Sequence, residues 1–196
     1  MTRIVAGTAG GRVLRVPDRG TRPTSDRVRE ALFSRLEHEG LLDGAVVWDL
    51  YAGSGALGIE AASRGARAVV LVEQARGAVQ VCRRNVADIG LDGVRVVAST
   101  VQAFLDRAAG APAEAVDLVL VDPPYELDEG ELERALAALP AHLDPLALVV
   151  VERSVRSPEP TWPAELERVD ERRYGETVLW WAEPRRPVPP VPTVAS

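Results

Sequence analysis

The chain has 196 residues, 46% of them hydrophobic, and a net charge of −6, which gives room for one well-filled core and too little for two ordinary domains. A single cysteine, Cys82, excludes a disulfide framework and a cysteine-based metal cluster, and agrees with a reducing compartment. No apolar run reaches membrane-span length, the N-terminus lacks the unbroken apolar core of a signal peptide, and the acidic balance argues against a general nucleic-acid binder; a soluble cytoplasmic protein is expected.

The charge is unevenly spread. Up to Arg35 there are eight arginines against three acids, so this stretch carries +5 and the remainder −11. All 23 basic residues are arginine, which a genomic base-composition bias explains as well as function does. The first segment, "RIVAGTAGGRVLRVP", holds two short β-prone runs around the turn cluster Thr8, Ala9, Gly10 and Gly11, and predicts a hairpin ahead of the main fold. In "TSDRVREALFSRLEHEG", Val28, Leu32, Phe33 and Leu36 fall at helical spacing, Thr24 or Ser25 can cap the start, and Gly40 follows the end.

From there apolar runs alternate with helical stretches. The runs are Ala45 to Leu50, Ala68 to Glu73, Val94 to Ala98, Val116 to Val121 and Ala147 to Glu152. Several are continuous rather than alternating, as expected of parallel strands buried on both faces. Two more strands, Glu165 to Arg173 and Thr177 to Ala182, are joined through Tyr174, Gly175 and Glu176 with no room for a crossover helix, and should be antiparallel. Trp180 and Trp181 are adjacent in the last strand, so one should face the core and the other outward. The fold class is α/β: a doubly wound, mainly parallel seven-stranded sheet with helices on both faces, its last two strands antiparallel, preceded by a small N-terminal β-hairpin. The expected organisation is a hairpin arm over 1–20, a main domain over 21–184 and a disordered proline-rich tail over 185–196.

Two strand ends carry chemistry. In "VVWDLYAGSGALGIEAA", Gly53, Gly55 and Gly58 form G-x-G-x-x-G directly after a strand and opening a helix. The missing side chains let the backbone turn tightly and let a ligand approach the helix N-terminus. About twenty residues on, Glu73 ends the next strand, where a carboxylate can accept both hydroxyls of a ribose. The glycines could serve only as a tight turn, but glycines, acid and strand contexts together point to a nucleotide-like ligand. Dinucleotide enzymes use the same geometry for a pyrophosphate. Asp49 discriminates: beside a pyrophosphate a second negative charge is unhelpful, whereas it can fix an ammonium such as that of S-adenosylmethionine. Its plainer alternative is to bond loop N–H groups.

The second strand end is "DLVLVDPPYEL", which places Asp122, Pro123, Pro124 and Tyr125 at the carboxyl end of the fourth run. An exocyclic amine of a nucleobase is a poor nucleophile, because its lone pair is delocalised into the ring. The Asp122 carboxylate and the Pro123 carbonyl can each accept one of its N–H groups, while the prolines fix φ and keep the acceptors still. Tyr125 offers a flat face for an extruded base. Alternatively the stretch is a proline turn that ends a strand. His38 and His142 fall in no metal-ligand spacing, and Cys82 in "AVQVCRRNVADIG" suits packing better than nucleophilic work.

The sequence resembles the Rossmann-like S-adenosylmethionine-dependent methyltransferases, and more closely the RsmD family of bacterial enzymes that methylate N2 of one guanine in 16S ribosomal RNA. The resemblance rests on "RIVAGTAGGRVLRVP", "RPTSDRVREALFSRL", "VWDLYAGSGALGIEAASRGA", "VVLVEQ" and "LVDPPY", in that order. It implies that Asp49, Gly53 and Gly55 wall the methionine moiety and that Glu73 holds the ribose. Tyr51, Ala52, Ser54 and Gln74 complete the cofactor site, and Asp122 to Tyr125 form the catalytic loop. One departure lies after the third strand, where an acid often accepts the adenine amine. Here Ser99 and Thr100 stand instead, leaving a hydroxyl and the Val101 N–H for the adenine. The resemblance assigns RNA contacts to Arg3, Arg12, Arg15, Arg19, Arg22 and Arg27, on an arm separable from cofactor binding. Arg22, Thr24 and Arg27 lie between arm and sheet and could touch either ligand. No metal is expected. A DNA-adenine or protein-glutamine amino-methyltransferase remains open on the catalytic loop alone, as does a nicotinamide enzyme or a non-catalytic binding module on the glycines alone.

Overall fold

A computed structural model describes residues 2–17, 26–109 and 114–186. Arg19, Arg22, the cap candidates Thr24 and Ser25, and residues 187–196 of the expected tail lie outside them. Short strands β1 (Thr2–Arg3) and β2 (Val13–Leu14) pair antiparallel and precede helix α1 (Asp26–His38). The alternation then runs β3 (Val46–Leu50), α2 (Ala56–Ser63), β4 (Ala68–Glu73), α3 (Arg76–Ile89), β5 (Val94–Ala98), α4 (Val101–Ala108), β6 (Val116–Val121) and α5 (Glu129–Ala138). It closes with β7 (Leu143–Ser154), β8 (Leu166–Tyr174) and β9 (Thr177–Pro184).

The seven longer strands form one sheet in the order β5-β4-β3-β6-β7-β9-β8. Strands β3 to β7 pair parallel, and β9 inserts between β7 and β8, antiparallel to both. The doubly wound sheet with a final antiparallel pair is therefore as read from the sequence. From β3 the chain winds outward to β5 and then returns to the other side of β3 with β6. The order reverses between β3 and β6, so the crevice at their carboxyl ends is where such sheets hold ligands. Strand β7 starts earlier than its apolar run, because Leu143 pairs with Val116 across an irregularity between Val116 and Leu118.

Each sheet face carries its own core. Val47, Leu71, Leu120 and Val150 pack with the hairpin, α1 and α2, while Trp48, Val72, Val119 and Val151 pack with α4 and α5. All five residues of β3 are buried for this reason. Trp180 and Trp181 correct the expectation of one outward ring: both are buried, one in each core, because β9 is an interior strand covered on both faces. The Arg35 guanidinium lies 4.0 Å from the Trp181 ring centroid and closes that side.

The hairpin precedes the main fold in sequence but shares its core in space. Ile4, Ala9 and Leu14 join the cluster of α1 and α2. Its turn docks on α2 through the fully buried Glu60, whose carboxylate accepts the N–H groups of Val5 at 2.7 Å and Ala6 at 3.0 Å. Arg64 Nε donates to the same carboxylate at 2.8 Å, and Arg29 Nε lies 3.9 Å away as an ion pair without a hydrogen bond. Ser63 adds a second clamp, its hydroxyl donating to the Ala6 carbonyl at 2.6 Å and accepting from the Ala9 N–H at 2.9 Å. Gly7, at φ +80°, passes so close that a Cβ would sit 1.9 Å from the Ser63 carbonyl oxygen.

Removing the Glu60 carboxylate strands buried donors and leaves the buried Arg29 and Arg64 guanidiniums each one acid short, Arg29 keeping Asp26 at 2.9 Å. Glu60→Ala should lower the unfolding free energy by about 3–5 kcal/mol, the usual cost of breaking a buried ion pair. Urea denaturation measures the loss, and hydrogen exchange should show it first at the Val5 and Ala6 amides.

Candidate active site

A cleft of about 1510 Å³ opens over the carboxyl ends of β3, β4 and β6. Its walls include the turn after β3, Glu73 and Gln74 after β4, and the whole of Asp122 to Tyr125 after β6. Tyr51, Ala52, Gly53, Ser54, Val101 and Asp49 also line it, so most of the sequence-predicted cofactor residues meet in one place.

The turn after β3 is unusual from its first residue. Tyr51 takes φ +68°, a left-handed conformation that a bulky side chain rarely adopts, followed by Gly53 at +55° and Gly55 at +83°. The Ala52 N–H bonds the Val72 carbonyl at 2.9 Å, which ties the turn to β4. Gly55 lies outside the cleft wall, since a Cβ there would stand 2.9 Å from Cys82 Sγ and 3.2 Å from Leu71 Cδ1. Gly58 is tighter still, with a Cβ 2.1 Å from Leu71 Cδ2. These two glycines therefore serve close packing of α2 on the sheet, and Gly53 and its neighbours line the cleft. Burial pushes the Cys82 thiol up to about 12 and leaves it inert packing.

The two oxygens of Asp49 stand in different surroundings. Oδ2 accepts the Gly58 N–H at 2.8 Å, while Oδ1 is buried and has no hydrogen-bond partner. Burial pushes this carboxyl up to about 8, opposed by the Gly58 N–H and reinforced by repulsion from Asp122 and Glu73. A buried, unpartnered acceptor on a cleft wall fits a ligand ammonium. Glu73 is already engaged: Oε2 accepts the Gly53 N–H at 2.9 Å and Oε1 the Ala75 N–H at 2.7 Å. Each oxygen keeps further lone-pair capacity, which suits a pair of ribose hydroxyls.

At the far end Ser99 and Val101 line the cleft and Thr100 does not. The Thr100 hydroxyl turns to cap α4, accepting the Ala103 N–H at 3.2 Å, and the Ser99 hydroxyl accepts from Arg107 at 2.7 Å. The Asp122 to Tyr125 loop is braced by the Leu127 N–H, which donates to the Pro124 carbonyl at 3.0 Å. Pro123 is buried, and Tyr125 is 58% exposed, its ring offered to the cleft mouth.

A family model, Conserved hypothetical protein 95, matches residues 2–183. Ribosomal RNA small subunit methyltransferase D of Escherichia coli (strain K12) is 40% identical over 177 residues, which cover 89% of this chain and 85% of that one. The chain belongs to this family. The methyltransferase D of Haemophilus influenzae is 33% identical over 163 residues, 80% of each chain. Among solved structures, a hypothetical protein of Thermus thermophilus matches with a TM-score of 0.79 and 36% identity over 93% of this chain and 99% of that one.

Family membership makes the chain a methyltransferase, and the unpartnered Asp49 Oδ1 beside the glycine turn fits the cationic methionine end of S-adenosylmethionine. The arginines divide. Arg27 lines the cleft, whereas Arg3, Arg12 and Arg15 stand outside its wall. Arg12 is committed to α3, donating to the carbonyls of Asp88 and Ile89, the latter at 2.7 Å. Among the cleft residues that sequence reasoning missed are Glu152 and Arg153 at the end of β7, and the Tyr174 to Thr177 turn. The turn was legible as a turn, but its place beside the cleft depends on β9 inserting next to β7.

Asp49 also sets a pH dependence. An unfolded aspartate titrates near 4, so between roughly pH 4 and about 8 the folded protein holds a proton that the unfolded chain does not. The ligand-free protein should therefore lose stability as pH rises through that window, and Asp49→Asn should flatten the decline. Urea midpoints at intervals from about pH 5 to about 8.5 read it out.

Proposed function

We propose that the protein transfers a methyl group from S-adenosylmethionine to the exocyclic N2 amine of a guanine in 16S ribosomal RNA, in the cytoplasm, on RNA within a small ribosomal subunit or its assembly intermediate. The carrying observation is that Asp122 to Tyr125 and the turn after β3 line one cleft at the switch point of the sheet. The names of the two relatives, both small subunit ribosomal RNA methyltransferases, support RNA as the substrate.

Bound in the cleft, the cofactor supplies a methyl group already activated by its positive sulfur. Asp49 holds the ammonium end, Glu73 the ribose hydroxyls, and Val101 with Ser99 borders the adenine end. Asp122 and the Pro123 carbonyl each accept one N–H of the target amine, which orients its lone pair and stabilises the positive charge growing on nitrogen. The two prolines remove backbone freedom from these acceptors. Tyr125 stacks on the extruded base, an interaction worth about 1–3 kcal/mol. Arg27 at the cleft, with Arg3 and Arg15 on the exposed hairpin side, meets phosphates, while Arg12 adds charge from its cap on α3. Arg19 and Arg22 extend the same basic segment in sequence. Each neutralised phosphate steepens the salt dependence of binding by roughly 0.7–0.9 log units.

Asp122→Ala should lower methyl transfer by about 100-fold or more while affinity for S-adenosylhomocysteine changes little. Labelled cofactor offered with small-subunit ribosomal RNA, duplex DNA and protein in parallel should label the RNA alone. Full activity in the variant, or preferential labelling of DNA or protein, contradicts the proposal.

A further inference from the structure

We infer that Asn85 is a positioning residue that joins the N-terminal hairpin to the cofactor turn, so that ordering one orders the other. Asn85 lies on α3, where the other buried positions, Ala78, Val79, Cys82 and Ile89, are apolar. It is 2% exposed, and its amide is divided between two segments distant in sequence. Oδ1 accepts the Arg15 N–H at 2.9 Å. Nδ2 donates to the Arg15 carbonyl at 2.9 Å and to the Ser54 carbonyl at 2.8 Å. Arg15 thus meets the side-chain amide much as one strand meets its neighbour. Ser54 is the residue between the two left-handed glycines of the cofactor turn.

The rest of the hairpin end is fastened to the same helix. Besides the Arg12 cap described above, the Arg15 side chain pairs with Asp88 at 3.1 Å. Val16 and Pro17, which follow directly, line the main cleft. A ligand that fixes the turn after β3 therefore fixes the Ser54 carbonyl, through it the plane of the Asn85 amide, and through that the backbone leading to Val16 and Pro17. A buried primary amide satisfied by backbone groups on both sides has no equivalent rotamer to relax into.

Coupling of this kind is reciprocal: what the cofactor does for the hairpin, a ligand on the hairpin does for cofactor binding. Resting on the functional reading above, RNA held by the hairpin and cofactor held by the turn favour each other, because each meets a segment the other has already ordered. The expected coupling lies at the lower end of the usual range, about fivefold.

Hydrogen exchange tests this in the full-length protein, with S-adenosylhomocysteine as the probe and calorimetry to verify that it binds. In the wild type, exchange over residues 12–17 should slow about fivefold when the probe is added. In Asn85→Leu, which keeps the branching and the number of side-chain heavy atoms and removes all three bonds, the slowing should vanish while the probe still binds. Arg15→Pro, which deletes the donor to Asn85 Oδ1 together with the Arg15–Asp88 pair and leaves the sequences of α3 and the turn unchanged, should reduce the slowing and serves if the first variant does not fold. Slowing of equal size in a folded variant, or none in the probe-bound wild type, overturns the inference. Failure of the wild type to methylate ribosomal RNA while the exchange pattern holds overturns the functional reading instead. Failure of the probe to bind the wild type overturns both.

Discussion

The closeness of α2 to the sheet governs the rest of the molecule. A Cβ at Gly58 would collide with Leu71 and come within 3.2 Å of Asp49 Cβ, so only glycine lets the helix reach β3 and β4 at this distance. That approach brings the Gly58 N–H onto Asp49 and turns the second carboxylate oxygen into a buried acceptor at the cleft. It also sets the height of the outer side of α2, where Glu60 and Ser63 receive the hairpin. One packing constraint thus places both the wall proposed to hold the cofactor and the segment proposed to carry RNA.

Electrostatics suits the cleft to a cation. Asp49, Glu73 and Asp122 stand at three neighbouring strand ends, and the latter two raise the first by repulsion on top of its burial. Few arrangements are less hospitable to a pyrophosphate, and a positively charged ligand relieves all three acids together. The polymer would be attracted elsewhere, by the +5 segment before the sheet. Cation at the acids and polyanion at the arginines is a division of charge that an acidic protein with a basic leading segment can sustain.

The parallel strands were legible because they are largely apolar, β-prone runs, and the final pair because a short turn joins it; the expected ends fall within a residue or a few of the observed ones. The turn and the Asp122 loop were legible because glycine spacing and paired prolines are short-range signals. Glu60 and Asn85 were not, for a physical reason: a buried acid or amide on a helix looks like a solvated one until its partners arrive from far along the chain, Ala6 lying 54 residues from Glu60 and Arg15 lying 70 from Asn85. The tryptophan pair misled for a related reason. Alternation predicts opposite faces correctly, but whether both faces are covered depends on β9 lying inside the sheet. Thr100 shows a third limit, since a hydroxyl beside a helix start serves the helix before it serves a ligand.

The proposed acceptor of the methyl group is one guanine amine of small-subunit ribosomal RNA. Nucleoside mass spectrometry combined with a methyl map of 16S ribosomal RNA from cells lacking the protein tests it most directly. Loss of a single N2-methylguanine, restored by the wild-type chain, is the expected result. An unchanged set of N2-methylguanines, with a methyl group missing from DNA, protein or another base instead, would contradict it.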